Sequence, residues 1–269
     1  IMNVAIVIDI FHDKGNGTSM SARHLVENLV ERGIGVKVLC DNAGQQNETM
    51  QGVEFVTFPI QQVPIYQKVI EQQHAWLASP NDARIKEALK DVDLVHIYMP
   101  FALGTHCARI AQELGIPVLG CYHVSAENIT FNAKMKYIPG ATPAMYELLK
   151  VYHYKPEWIN NIHCPSRCIA STLMGHLYNQ NLHVISNGYD PAFKRIDNVK
   201  IPDGCEDKII ITSVGRLTEE KRQDLIIKAV AKSKYRDRIS LFLAGKGPKQ
   251  EEYELSLIHI SEPTRPRLI

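Results

Sequence analysis

No apolar run in the 269-residue chain approaches the roughly 18 consecutive residues that a membrane-spanning helix needs, so no span is expected. The apolar opening "VAIVIDI" has no basic segment ahead of it and is interrupted by Asp9, which points to a buried strand rather than a signal peptide. Met2 reads as the start codon, with Ile1 left over. Charge of one sign is missing too: 30 Lys and Arg stand against 29 Asp and Glu, a net +1. That balance gives no electrostatic ground for nucleic acid as a partner. Cys-x-x-Cys pairs are absent. The six cysteines, at 40, 107, 121, 164, 168 and 205, several of them in apolar runs, read as reduced, buried thiols of a cytoplasmic protein. His163, Cys164 and Cys168 lie close in sequence, but their spacing fits no common zinc arrangement. The chain has no short-period internal repeat and no low-complexity tract.

What is present is enough apolar residue, 45% of the chain, to bury a core in one large domain or two smaller ones. Apolar runs alternate with helical stretches. Strands are expected at 3–9, 35–40, 53–58, 93–99, 117–122, 160–165 and 183–187. Between them the 3.6-residue period predicts a helix over 18–32, capped by Thr18 or Ser19 and ended by Gly33, two helical stretches within 65–90, and helices over 104–114 and from Ser166. Residues 124–158 look less regular. After an aperiodic stretch the alternation resumes: strand 208–215, helix 223–234, strand 239–245 and the start of another helix. This order predicts an α/β protein of two Rossmann-like, doubly wound domains facing a cleft. The expected divisions are an N-terminal domain at 1–187, a linker at 188–207, a partial C-terminal domain at 208–254 and a tail at 255–269.

Ligands of doubly wound folds sit at the carboxyl ends of the strands. After the first strand, Gly15 and Gly17 would let a ligand approach the backbone and the helix start behind it. A dinucleotide site is one alternative. Met20 stands where its third glycine belongs, although Asp41 follows the second strand where a ribose-binding acid would be. A plain glycine turn is another. Downstream, Arg216 leaves a strand and Lys221 precedes a helix whose N-terminus carries roughly half a positive charge. A diphosphate would balance the three, held by charge-assisted bonds. The bland alternative is a solvated charged face, because Glu219, Glu220 and Arg222 are adjacent.

These stretches are familiar. "SVGRLTEEKRQDLI" (213–226), "LFLAGKGP" (241–248), "HVISNGYDPAF" (183–193), "DLVHIYMPFALG" (93–104) and "GIPVLGCYH" (115–123) together resemble the family 4 glycosyltransferases of GT-B fold. The resemblance implies a retaining enzyme that moves a hexosyl group from a nucleotide-diphosphate sugar to a lipid or glycan, with no cofactor and no metal. It implies that Arg216 and Lys221 hold the departing diphosphate and that His123 contacts the donor sugar. Gly15 and Gly17 would line the cleft, while Gly215, Gly245 and Gly247 would shape the turns near the nucleotide. Asn187-Gly188 marks the turn toward the hinge, His12 is a weaker candidate, and His96 and Tyr98 read as packing residues. Two other readings stay open: a GT-B relative with different sugar-nucleotide chemistry, such as an epimerase, and a non-catalytic nucleotide-sugar binding protein.

Residues 134–158 interleave Lys134, Lys136, Lys150 and Lys155 with tyrosines and Trp158. This stretch is expected either to rest on an anionic membrane surface, making the protein peripheral, or to be a solvated helical insert. The ending "LSLIHISEPTRPRLI" resembles a translated sequencing adapter and carries Pro263 and Pro266, which stop a helix. It suggests a truncated reading frame, and the 269-residue chain is accordingly expected to be inactive as a transferase.

Overall fold

The continuous apolar runs are the strands of parallel sheets. In a computed structural model, residues 2–43, 49–62, 76–135, 137–189, 193–197, 199–260 and 267–268 are described. The first half of the expected 65–90 helical stretches, Lys136 and both prolines of the ending lie outside them. The chain divides into two compact units, 1–190 and 191–269.

In the first unit, seven parallel strands are ordered β3-β2-β1-β4-β5-β6-β7. They are β1 (Asn3–Val7), β2 (Gly35–Asp41), β3 (Val53–Phe58), β4 (Leu94–Ile97), β5 (Val118–Cys121), β6 (Asn161–Cys164) and β7 (Asn181–Val184). The strand order reverses direction between β1 and β4, where Ile6 pairs with Val38 on one side and His96 on the other. Side chains alternate across the sheet as strand geometry requires. Val4, Ile6 and Ile8 join one apolar layer with Val38, Ala22 and Val26, while Ala5 and Val7 join the other with Leu39, Leu89 and Leu103. Both faces are therefore buried, which is why the central strands read as unbroken apolar runs.

Helices α1 (Gly17–Glu31), α2 (Asp82–Ala88), α3 (Ala102–Glu113), α4 (Ala126–Asn132), α5 (Ala141–Tyr152) and α6 (Arg167–Gly175) complete this unit. Three of them depart from expectation for local reasons. The cap of α1 is Asn16, whose side chain accepts from the Thr18 amide at 2.9 Å; Ser19 instead donates to the Ile10 carbonyl at 2.6 Å. The stretch expected to be irregular contains α4 and α5, the first capped by Ser125 and the second entered through Gly140 in the left-handed region at φ 79°. The two are joined by Tyr146, whose hydroxyl donates to Glu127 at 2.7 Å. β7 begins two residues earlier than expected, because this edge strand is largely exposed and carries no burial pattern to read.

The second unit pairs β8 (Ile209–Val214) with β9 (Ile239–Ala244) in parallel, from Ile209 opposite Ile239 to Val214 opposite Ala244. Between them runs α7 (Gln223–Lys232), and α8 (Gln250–Ile260) follows. The core is small: Leu217, Ile227, Leu241, Leu243 and Tyr253. Helix α8 continues past Leu255, where the foreign tail was expected to begin, since no helix breaker occurs before Pro263. Two further residues, β10 (Arg267–Leu268), pair with β9.

One close approach fixes the helix covering β4. A Cβ on Gly104 would lie 2.5 Å from the Met99 carbonyl oxygen and 2.8 Å from Ile97. Gly104→Ala is expected to destabilise the protein by about 1–3 kcal/mol through overpacking, although alanine favours a helix over glycine by about 1 kcal/mol. Urea unfolding reads this directly, and an unchanged or raised midpoint would show that α3 can move away from β4.

Candidate functional site

At the β1 end of the first unit, the backbone is held by side chains behind it. Arg23 donates to the Phe11 carbonyl at 3.3 Å and lies over the Phe11 ring. Gly15 donates its amide to Asp13 at 2.9 Å. A Cβ on Gly17, the first residue of α1, would meet nothing within 4 Å, so this helix start faces open space. His12 is half-buried, with Nε2 3.5 Å from the Cys40 sulfur. Burial lowers its pKa against the opposing pull of Asp41.

Asp9, which earlier served only to interrupt an apolar run, sits at this edge with 1% of its surface exposed. One carboxyl oxygen accepts from the Ala78 amide at 2.9 Å, and Oδ2 is buried without a hydrogen-bond partner. Burial raises its pKa to about 7; the Ala78 hydrogen bond opposes the rise and the nearby Asp41 carboxylate adds to it. The available sequence signal was a charge at the carboxyl end of an apolar strand.

His123 lies two residues past β5. Its ring stacks on Tyr98, which follows β4, at 5.1 Å and 6°. The His123 Nε2 is buried and has no hydrogen-bond partner. Burial, with His163 nearby, lowers its pKa to about 4, so the imidazole is neutral near pH 7. Behind it, His96 of β4, Cys121 of β5 and His163 of β6 form a buried trio: His96 Nε2 is 2.9 Å from the Cys121 sulfur, which is 3.0 Å from His163 Nδ1. His96 and Tyr98 are buried as expected of packing residues, but both also contact polar neighbours at the strand ends. Their partners lie too far along the chain for spacing to reveal them.

In the second unit, the loops after β8 and β9 are joined backbone to backbone. Gly215 N–H donates to the Ala244 carbonyl and Leu217 N–H to that of Lys246, each at 2.9 Å. This approach excludes side chains. A Cβ on Gly245 would fall 2.0 Å from the Gly215 oxygen, and one on Gly247 would fall 2.3 Å from the Leu217 oxygen. Gly215, Arg216, Gly245 and Gly247 are thus brought together. A 3-10 turn, Glu219–Lys221, leads to Arg222 in the left-handed region and then to α7, whose start has no side-chain cap. Lys221 is exposed on that turn.

Arg216 already has a carboxylate: its Nη2 lies 3.2 Å from Glu220. The stretch 216–224 holds three cations, Arg216, Lys221 and Arg222, and three carboxylates, Glu219, Glu220 and Asp224. Of the two cations expected to meet a diphosphate, Arg216 is thus already paired within the chain by Glu220. What remains unsatisfied is smaller: Thr218 Oγ1 and Gln223 Oε1 are buried without partners, while the Gln223 amide holds the Arg216 carbonyl at 2.9 Å.

The Asp9 geometry carries a pH dependence. A folded-state pKa of about 7 against an ordinary 3.8 means that the folded protein binds the proton more tightly. Stability from this group is full below the unfolded value and is lost as pH rises through about 7, by on the order of 4 kcal/mol at most. Asp9→Asn is expected to flatten the fall in Tm between pH 5 and 8. A variant whose Tm falls over that range as the parent's does would show that Asp9 is already ionised.

Comparison with known proteins agrees with this architecture. The profile described as Glycosyltransferase Family 4 matches residues 15–193, and that described as Glycosyl transferases group 1 matches 196–260. A GDP-mannose-dependent alpha-mannosyltransferase of Corynebacterium glutamicum is 26% identical over 262 residues, covering 92% of this chain and 58% of the relative. An alpha-monoglucosyldiacylglycerol synthase of Streptococcus pneumoniae is 25% identical, covering 92% of this chain and 56% of the relative. The chain thus spans somewhat over half the length of these relatives. Among solved structures, the lipopolysaccharide outer core galactosyltransferase WaaB has a TM-score of 0.63 at 11% identity, covering 100% of this chain and 67% of its own. The lipopolysaccharide-biosynthesis glycosyltransferase WaaG has 0.61 at 16%, covering 99% and 69%. With both units in the fold of GT-B enzymes and the family profile spanning most of the first, the chain belongs to Glycosyltransferase Family 4.

Proposed function

We propose that the protein moves a hexosyl group, with retention, from a nucleoside-diphosphate sugar to a lipid or glycan acceptor. The observation that carries this reading is the paired loop at the ends of β8 and β9, where Arg216 stands beside an uncapped helix start. Breaking the glycosyl–phosphate bond leaves added negative charge on the departing diphosphate. Arg216, Lys221 and the α7 N-terminus would stabilise that charge as it develops, with no divalent cation at the diphosphate. Glu220 holds the guanidinium beforehand, and the diphosphate would compete with it for the fork. In the first unit, the neutral His123, whose Nε2 is buried and unpartnered, is the candidate contact for a sugar hydroxyl or ring oxygen. Gly17 leaves room beside α1 for the acceptor. The two curated relatives, one using GDP-mannose and the other named for a glucosyldiacylglycerol product, support the donor and acceptor classes. Transfer is proposed for a protein of the relatives' length, and inactivity of the 269-residue chain alone is part of the same proposal, checked by donor hydrolysis.

A peripheral position on the cytoplasmic face of a membrane accompanies this reading. No helix among the described residues is long and apolar enough to cross a membrane. Yet α5 leaves Leu148, Val151 and Tyr152 exposed, with Tyr137 and Ile138 just before it. Lys150 is engaged by Glu147 at 2.7 Å and by the His176 carbonyl, so apolar insertion would contribute alongside charge.

In a protein of the relatives' length, Arg216→Ala is expected to lower turnover roughly 10²–10³-fold. Lys221→Ala should act similarly and not additively with it. Glu220→Gln is expected to tighten nucleoside-diphosphate binding in calorimetry by releasing Arg216. Near-normal turnover in both cation variants would remove the clamp.

The membrane reading predicts sedimentation with vesicles containing anionic lipid and release as salt rises. Binding unchanged between neutral and anionic vesicles would leave only the apolar contribution, and binding to neither would make 134–158 a solvated insert.

A further inference from the structure

We propose that His96, Cys121 and His163 form a site for one divalent transition-metal ion of the zinc class, separate from the diphosphate loops. The side chains come from three adjacent parallel strands. Cys121 is the register partner of His163, and His96 is opposite Leu119, two residues before Cys121 and on the same face. One ligand atom from each, the two ring nitrogens and the sulfur, lie within 4.8 Å of one another, and all three residues are buried. Two imidazoles and a thiol select zinc, cobalt or copper over magnesium or calcium, which prefer oxygen.

The orientation of His163 supports the assignment. Its Nε2 lies 2.7 Å from the Ile185 carbonyl, which can only accept, so Nε2 carries the hydrogen and Nδ1 presents its lone pair toward Cys121. A backbone carbonyl fixing the outer nitrogen of a ligating histidine is the usual support of a metal site. Tetrahedral zinc, with bonds of roughly 2.3 Å to sulfur and about 2.0–2.1 Å to nitrogen, sets N···S edges near about 3.6 Å. The present separations of 2.9 and 3.0 Å therefore open by about 0.6 Å on binding. Binding replaces the Cys121 S–H bond with a metal–sulfur bond and releases the proton to solvent, with no change of oxidation state. Three protein ligands leave a fourth position for water or another donor. The ion would tie the ends of β4, β5 and β6 together directly behind His123, whose ring meets that of His163 edge to face at 5.9 Å. The role inferred is to hold His123 in place, not to enter the transfer step.

The test is a titration of the 269-residue protein, freed of metal by a chelator, with cobalt(II). The expected result is one equivalent per chain, a thiolate-to-cobalt charge-transfer band, tetrahedral d–d absorption and displacement by zinc. Cys121→Ser should abolish the charge-transfer band, and His163→Gln should weaken binding by about tenfold or more. Cys40→Ser and the exposed Cys168→Ser should leave both unchanged. Zinc-edge X-ray absorption on the unmutated protein should find one sulfur and two imidazole nitrogens, which keeps the test decisive if a variant fails to fold. Absence of the charge-transfer band, its persistence in Cys121→Ser, or a zinc shell without sulfur would overturn the proposal and leave a hydrogen-bonded His–Cys–His trio.

Discussion

Parallel pairing is the constraint on which the rest of this molecule depends. Parallel strands must each be crossed back over by a connection on a face of the sheet, which buries both faces and sends every carboxyl end to one edge. The polar groups with unusual surroundings collect on those edges. In the first unit Asp9 follows β1, Tyr98 follows β4 and His123 follows β5; in the second, Gly215 and Arg216 follow β8 and Gly245 follows β9. These residues share no local pattern. They share only the direction in which their strands run, and that direction was set by apolar runs with no chemistry of their own.

The two edges handle charge differently. In the first unit burial favours the neutral forms of three groups: Asp9 holds a proton up to about pH 7, and His96 and His123 have lost theirs well above pH values of about 3 and 4. In the second unit charges pair locally instead: Arg216 with Glu220 and Arg222 with Asp224. Such pairing lets cations stand near a helix N-terminus, and the Arg216–Glu220 pair is partly exposed, where ion pairs contribute little.

Much of the fold was legible because buried parallel strands are written as uninterrupted apolar residues. β1, β2, β3, β8 and β9 fall within a residue or two of where those runs lie. β7 was misplaced by two residues because an exposed edge strand has no apolar side to mark its register. α4 was missed, and α5 was expected only as one reading of 134–158, because their order depends on caps and on the Tyr146–Glu127 bond, while α5 leaves apolar residues on its outer surface and so blurs its own period. The candidate site divides the same way. Arg216 and Lys221 were visible because strand, cations and helix start are contiguous. Asp9 left a trace, a charge inside an apolar run. The His96–Cys121–His163 trio left none, because its members stand 25 and 42 residues apart and meet only through the order of three strands.

Glycine in "AGKGP" illustrates how a resemblance and a structure answer different questions. By resemblance, Gly245 and Gly247 stand near a nucleotide. In the structure, what forbids a side chain at either position is the backbone of residues 215–217, which passes at 2.0–2.3 Å from where a Cβ would be. The requirement is therefore met before any ligand arrives. Two loops that would otherwise be separate are joined by paired backbone hydrogen bonds into one surface, and the joining orients Leu217 into the small core while Gln223 takes the Arg216 carbonyl. With its main chain anchored on both sides, Arg216 has only side-chain freedom left. A guanidinium on a fixed backbone loses less conformational entropy when it engages an anion than one on a free loop, so preorganisation adds to binding without any additional contact. The glycines act at one remove: they hold still the backbone that carries Arg216.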